Sequence, residues 1–468
     1  MPSTLLYDKD IIVAPTSPLG GAVVMLRVSG EGCSNSIKGI FKTKRGETPS
    51  LHPRHVYFGD LYDGDKPLDE VTLVYYQAPA SYTGEDTIEI TCHASPYIVS
   101  RLMQLLFKKG ARMAKPGEFT FRSYLNGKLD MAEAEAVADI IAAESEAQLN
   151  VALTQLRGEL SLELGTIRKK LIEFSSLLEL ELDFSEEDVE FADRSALTSL
   201  CQNLITHINR LVDSFETGRK IKQGVQTALV GIPNSGKSSL LNLLLGENRA
   251  IVSNIAGTTR DAISATANIG GVPFRFIDTA GLRQTKDPIE QMGVEKSIEY
   301  LGKSDLVLFV IDAVSLQSIP LEKQLATIPV SSRCKDTLFL LNKVDLISQE
   351  LQEQLLLEVK SQTKGEVLSL SVKQRTGIEE LQKALVHRSG YKPVSAETLI
   401  TNARHLRLLE EALLSLKRLE KGLKEGLSSD LLSGDLRDAI RALGEITGDA
   451  ITSEEVLHHI FAHFCIGK

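Results

Sequence analysis

The sequence predicts a multidomain α/β and α+β protein. A phosphate-binding α/β domain with a mostly parallel sheet is inserted into a helical domain, behind a mixed α+β N-terminal domain. Three observations predict it. An apolar run stops at Gly231 and an apolar helical pattern begins after Lys237, giving a strand, a loop and a helix in succession. Residues 224–388 alternate short apolar strands with helical stretches, the pattern of a parallel sheet covered by helices. Leucine stripes at three- and four-residue steps stand on both sides of that region, and a domain insertion works where its own ends lie close together. The expected boundaries are 1–126 for the N-terminal domain, 127–223 for the first helical half, 224–388 for the inserted domain and 389–468 for the second helical half.

Composition agrees with this plan. At 468 residues, 43% apolar and 24% charged, the chain suits a globular protein of about three domains. No uninterrupted apolar stretch approaches the roughly 18 residues of a membrane helix, and the first residues lack a basic region ahead of an apolar core. A cytoplasmic protein with no membrane attachment is expected. Cys33, Cys92, Cys201, Cys334 and Cys465 are scattered and form no C-x-x-C pair, which argues against a disulfide framework or a cysteine-rich zinc site. Net charge is −10, so any nucleic-acid partner must meet a local basic patch.

Taken in order, Ile11–Ala14 and Ala22–Val28 are β-branched apolar runs separated by Pro15, Pro18, Gly20 and Gly21, which reads as a hairpin. Val71–Tyr76 and Asp86–Thr91 repeat the strand pattern. Ile98–Phe107 has helical spacing and leads into Lys108, Lys109, Arg112 and Lys115, whose plain reading is a solvated face. From Asp130 the texture turns to Ala, Glu and Leu. Leu149, Leu153, Leu156, Leu160, Leu164, Ile167, Leu171, Phe174 and Leu178 line one face of long helices. A further helix runs to about Phe215, and Gly218–Gly224 reads as a connector. Leu406, Leu409, Leu413, Leu416, Leu419 and Leu423 form the second stripe.

Strands are expected at Thr227–Val230, Phe274–Ile277, Leu306–Ile311, Thr337–Leu341 and Val367–Leu370, with ligands at their C-terminal ends. Gly231, Gly236, Lys237 and Ser238 fit the phosphate-loop spacing. The glycines let backbone N–H groups converge on phosphate oxygens at a helix N-terminus, Lys237 reaches the outer phosphates, and the Ser238 hydroxyl is offered to Mg²⁺. Asp278, Thr279, Ala280 and Gly281 follow the next strand, with a carboxylate for Mg²⁺ through water and a glycine near the terminal phosphate. Asn342, Lys343, Val344 and Asp345 follow another. A fixed Asp345 carboxylate accepts two bonds from the guanine edge, which adenine does not supply. Ser371, Val372 and Lys373 close over the base. The ordered set predicts GTP in preference to ATP.

Gly231–Ser238, Ile255–Asp261, Asp278–Arg283 and the terminal Phe464-Cys465-Ile466-Gly467-Lys468 resemble the tRNA modification GTPases of the MnmE (TrmE) family, within the translation-factor-related class. The likeness includes Pro116–Arg122, Asn126–Asp130 and Tyr82–Asp86. It implies a Ras-like GTPase domain inserted in a helical domain, after an N-terminal domain similar to folate-binding domains that also makes the protein a homodimer. It implies work on tRNA with the FAD-dependent partner MnmG (GidA), adding a carboxymethylaminomethyl group to C5 of the wobble uridine. The methylene carbon would come from a 5-formyl- or methylene-tetrahydrofolate, with Arg27, Glu89, Lys128 and Lys468 at folate-contacting positions. On the residues alone, the first three read as surface charges. The chain departs from the family at Leu19–Ala22 and at His93-Ala94-Ser95.

Leu282 stands where the worked GTPase case has a water-positioning glutamine. By the resemblance, K⁺ replaces the missing positive charge, held by Asn234, Ser253, Ile255 and Thr258, while Thr259 joins Ser238 on Mg²⁺. Ser235, Gly236, Lys237 and Ser239, with Asn254, Ala256 and Gly257, complete the GTP contacts. Glu290 matches the family's residue that orients water indirectly, and alone it reads as a charge at a helix start. Cys465 is expected to serve the modification chemistry, although a cysteine ending an apolar helix is ordinarily a packed hydrophobe. The alternative is a GTP-switched RNA or ribosome-assembly binder, which an appended RNA-binding module would mark. A zinc hydrolase would rest on His459, His463 and Cys465, but no general base or further ligand set accompanies them.

Overall fold

The computed structural model describes residues 10–183, 194–247, 264–278, 302, 304–325, 336–391, 398–450, 457, 460, 461, 464 and 467. The chain divides into two units. One comprises residues 1–141, 153–207 and 407–468, the other 142–152 and 208–406.

In the first unit, the β-branched runs of the N-terminal third pair into a seven-stranded sheet of order β3-β4-β5-β6-β2-β1-β7. The strands are β1 Ile11–Pro15, β2 Val23–Ser29, β3 Phe41–Thr43, β4 Val56–Asp63, β5 Lys66–Tyr76, β6 Thr87–His93 and β7 Ala111–Met113. All neighbours are antiparallel except β1 and β7. Alternation sends Leu26, Val28, Leu73, Ile88 and Ile90 to one face. There they form a core with Val99, Leu102 and Leu106 of α1 (Pro96–Lys108).

Helix α2 (Glu118–Leu125) carries a fully buried Arg122. Its guanidinium donates to the Asp10 carbonyl at 2.9 Å, to Asp10 Oδ1 at 2.9 Å, to Glu85 Oε2 at 3.0 Å and to Glu118 Oε1 at 3.1 Å. Arg112 donates to the same Glu118 and Asp10 carboxylates. A buried charge is tolerable only when paired in this way. The Pro116–Arg122 motif is therefore an ionic tie between α2, the loop at Glu85 and the residue before β1. Helix α3 (Met131–Ala142) starts with a reciprocal cap, Asp130 Oδ1 accepting from Glu133 N and Glu133 Oε2 from Asp130 N, both at 2.8 Å.

The first leucine stripe is divided. Leu149, Leu153 and Leu156 belong to α4 (Glu146–Leu156), whereas the buried Leu160, Leu164, Ile167, Leu171 and Leu178 belong to α5 (Glu159–Asp183). Between them Gly158 has φ +77°, and a Cβ there would lie 2.7 Å from Glu133 Oε1. Left-handed backbone at close approach ends one helix and starts the next. The second stripe behaves as expected, with Leu409, Leu413, Leu416, Leu419 and Leu423 buried along the helix Ala403–Lys424. Helix α6 (Arg194–Gln223) runs beyond Phe215 through the expected connector. Gly218 lies inside it because a Cβ would meet the Ile400 carbonyl at 2.2 Å, so glycine there serves packing.

In the second unit, the six-stranded sheet has order β13-β12-β11-β8-β10-β9. Its strands are β8 Val225–Val230, β9 Ser264–Ile269, β10 Val272–Asp278, β11 Leu306–Asp312, β12 Asp336–Asn342 and β13 Glu366–Ser369. Only β9 runs antiparallel. β11 is buried along its whole length, as a central parallel strand covered on both faces must be. The α7 helix (Lys237–Glu247) buries Leu240 and Leu244 against Leu229, Phe274 and Phe276. Among the described residues, no helix is long and apolar enough to cross a membrane.

Candidate functional site

The phosphate loop begins where β8 ends. Gly231 has φ +147°, and a Cβ there would lie 2.2 Å from the Val310 carbonyl of β11. Gly236 has φ +104°, and its Cβ would lie 2.2 Å from Asn342 Nδ2. Neither position admits a side chain, which is the physical content of the glycine spacing. Asn234 at the bend adopts φ +63°, a conformation that asparagine tolerates better than most residues.

Lys237 Nζ donates to the Gly231 carbonyl at 2.8 Å and the Ile232 carbonyl at 2.9 Å, which places the ammonium group over the loop. Ser238 and Ser239 are exposed in the first turn of α7, where backbone N–H groups have no partner within the helix. The loop thus gathers a cation, a hydroxyl and a helix N-terminus suited to phosphate and Mg²⁺.

Asn342 joins this loop to the segments that carry Asp345 and Ser371. It is 2% exposed; its Nδ2 donates to the Ser235 carbonyl at 2.8 Å, and its Oδ1 accepts from Val372 N at 3.2 Å. Ser371 Oγ donates to Asp345 Oδ1 at 2.6 Å and accepts from Gln374 N at 3.1 Å. The serine, assigned from sequence to closing over the base, also orients the carboxylate. Lys343, at φ +64°, reaches Asp312 Oδ2 at 2.8 Å. Asp312 was missed by the sequence reasoning. Its signal was an acid closing an otherwise apolar strand, and its Oδ1 also accepts from Val314 N at 3.0 Å.

Asp278 ends β10 in register with Leu229. Its side chain, Ser253, Asn254, Ile255, Ala256, Gly257, Thr258, Thr259, Thr279, Ala280, Gly281, Glu290, His459, His463, Cys465 and Lys468 lie outside the described residues, as do Thr452 and Glu455 of the expected tail cap.

A second polar site lies in the first unit. Arg27 on β2 and Glu89 on β6 are register partners, and Glu89 Oε1 accepts from Arg27 Nε at 3.0 Å and Nη2 at 2.8 Å. The guanidinium lies 4.8 Å from the Tyr82 ring centroid and 5.6 Å from that of Phe119. Its Nη1 is buried and has no hydrogen-bond partner among the described residues. Burial pushes the Tyr82 phenol above its ordinary pKa, and burial followed by the Glu89 carboxylate does the same to Tyr76. Lys128 is exposed and donates to the Pro79 carbonyl at 3.3 Å, over the loop that carries Tyr82. Near the C-terminus, Phe464 packs with Phe461, Phe121 and Tyr124. Gly467 sits so close to Pro15 that a Cβ would be 2.1 Å from its carbonyl, and neighbouring Ala14 is the register partner of Arg27.

Comparison with known proteins decides the family. The model described as "MnmE helical domain" matches residues 131–465, and that described as "GTP-binding protein TrmE N-terminus" matches residues 11–128. The chain belongs to the MnmE family of tRNA modification GTPases. It is similar to the tRNA modification GTPase MnmE of Porphyromonas gingivalis, at 44% identity covering 99% of each chain. It is also similar to that of Bacteroides fragilis, at 46% identity covering 98% of this chain and 100% of the relative. Among solved structures, Aquifex aeolicus Era bound to GDP.AlF4- matches at 28% identity over 40% of this chain and 65% of that one, with a TM-score of 0.30. As an MnmE-family member the chain binds and hydrolyses GTP.

Proposed function

We propose that this GTPase acts in the modification of tRNA. With an FAD-dependent partner of the MnmG type, it adds a carboxymethylaminomethyl group at C5 of the wobble uridine, and it works as a homodimer. The observation that carries the reading is the Arg27 site. A buried guanidinium N–H without a partner among the described residues, beside two aromatic rings and a carboxylate, suits a flat, polar ligand that offers an acceptor to the N–H and donors to the carboxylate. A tetrahydrofolate derivative has that chemistry, and Arg27, Glu89 and Lys128 would hold it, with Lys468 from the tail. Bound there, it supplies the one-carbon unit.

The residues of the chain then have distinct tasks. Arg27 and Glu89 hold each other's orientation while Arg27 Nη1 remains available to donate. Tyr82 and Phe119 cover the guanidinium and exclude water from it. The approach of Gly467 to Pro15 supports a role for neighbouring Cys465 in the modification step. In the GTPase unit, Ser238, with Thr259, would hold Mg²⁺. Asn234 with Ser253, Ile255 and Thr258 would hold K⁺, and Glu290 would orient the attacking water.

Arg27→Ala and Cys465→Ser, assayed side by side with the partner present, test the reading. Both variants should keep GTP turnover and lose modified wobble uridine, measured by mass spectrometry of tRNA nucleosides. Only Arg27→Ala should lose binding of 5-formyltetrahydrofolate in a titration. Full modification by either variant rejects the role of that residue, and parallel loss of thermal stability and GTPase activity assigns it to packing.

A further inference from the structure

We infer that the corner of the N-terminal sheet where β4, β5 and the end of α1 meet is a docking surface for the phosphate backbone of tRNA. The inference rests on the tRNA reading above and adds where the nucleic acid lies. Lys38, Lys66, Lys108 and Lys109 are exposed there. Asp63, ion-paired with Arg101, has its carboxyl held below the usual range by that hydrogen bond and by the nearby charges of Lys108 and Lys66. Both lysines therefore stand close to one carboxylate already neutralised by an arginine.

Lys109 Nζ lies 3.9 Å from the position a Cβ would take at Gly39, next to Lys38. Tyr62 N donates to the Ile40 carbonyl at 2.7 Å, which brings the end of β4 to the same turn. Asp65, in the turn between β4 and β5, is a further acid of this corner. Among the described residues, no carboxylate forms an ion pair with any of the four lysines.

A lysine in the last turn of a helix offsets the helix dipole, and this accounts for Lys108. It does not account for Lys38 and Lys66, which arrive from other elements and add like charge to the same corner. In a chain of net charge −10, such a concentration gives a polyanion one local place to bind. Phe107, 41% exposed beside Lys108, adds a ring on which an unpaired base can stack.

Replacing Lys38, Lys108 and Lys109 together by alanine in the full-length protein tests this, with tRNA binding measured by filter retention between 50 and 200 mM salt. If each lysine meets one phosphate, the slope of log affinity against log salt should be shallower by about 2.7, so the unaltered protein loses about 40-fold more affinity over that range than the variant. The triple arginine variant, which keeps the charge, should bind like the unaltered protein. GTP turnover and the thermal midpoint should not change in either variant. An unaltered slope in the alanine variant overturns the inference. So does unchanged tRNA affinity with loss of a protein partner, which would assign the surface to a protein. If the unaltered protein binds no tRNA, alone or with its FAD-dependent partner, the tRNA reading itself fails and the inference with it.

Discussion

Replacing Asn342 by alanine should weaken GTP and GDP alike, because this side chain holds the phosphate loop and the base-recognition loop in one arrangement. The change removes a donor 2.8 Å from the Ser235 carbonyl and an acceptor 3.2 Å from Val372 N. Each buried polar group left without a partner costs roughly 1–3 kcal/mol. Ser235 is fully buried and Val372 is half-buried, so water reaches the second more readily than the first, and a total near 2 kcal/mol is the working figure from that range. The free protein avoids that cost by letting the two loops part, and a bound nucleotide must reassemble them. The affinity loss should then be about 30-fold. Fluorescent GDP and GTP analogues titrated into the variant measure it. Preference for guanine over xanthine should stay unchanged, since Asp345 and Ser371 are untouched. Asn342→Asp, which keeps an acceptor for Val372 N but faces the Ser235 carbonyl with an oxygen, should be at least as impaired. Unaltered affinity in both variants, or a loss confined to base preference, would refute the view of Asn342 as a tie between loops.

Asp345→Asn replaces an acceptor by a donor facing a guanine N–H. GTP should weaken by about 100-fold or more, as expected for two lost charge-assisted bonds, while xanthosine triphosphate gains; unchanged GTP binding in a titration would remove the assignment. Hydrolysis should be faster in K⁺ than in Na⁺ at equal ionic strength, and Asn234→Ala should abolish the difference. Equal turnover by the unaltered protein in the two salts would dismiss the cation role.

The nucleotide unit was legible because its constraints are local. Fully buried parallel strands such as Leu306–Asp312 must be continuous apolar runs, and glycines at Gly231 and Gly236 are imposed by neighbouring backbone and by Asn342. The edge strands β9 and β3 were not legible. The Ser264–Ile269 strand, at one edge of the six-stranded sheet, is built from small and polar residues, and β3, at one edge of the seven-stranded sheet, spans only Phe41–Thr43. An edge strand needs only one paired side, so its sequence is weakly constrained. The leucine pattern did not show the break at Gly158 because periodicity reports which face is apolar and not whether the backbone is continuous. Arg27 and Arg122 were opaque for another reason. Sequence pattern treats arginine as a surface residue, whereas here the buried partners come from distant parts of the chain, Glu89 for one and Asp10 and Glu85 for the other.

The Arg122 tie also limits how this protein can diverge. Its members sit at positions 10, 85, 112, 118 and 122, three acids against two arginines, so neutralising the fully buried Arg122 strands the acids that share it inside the first unit. A stranded buried charge costs roughly 3–5 kcal/mol, a large part of the roughly 5–15 kcal/mol that keeps a domain folded. Drift one residue at a time therefore passes through sequences that are partly unfolded, even when a fully apolar replacement of the whole group would be as stable as the original. Two lineages that differ at position 122 should differ at its acid partners as well, and a chimera that exchanges residue 122 without 85 and 118 should fold poorly although both parents fold well.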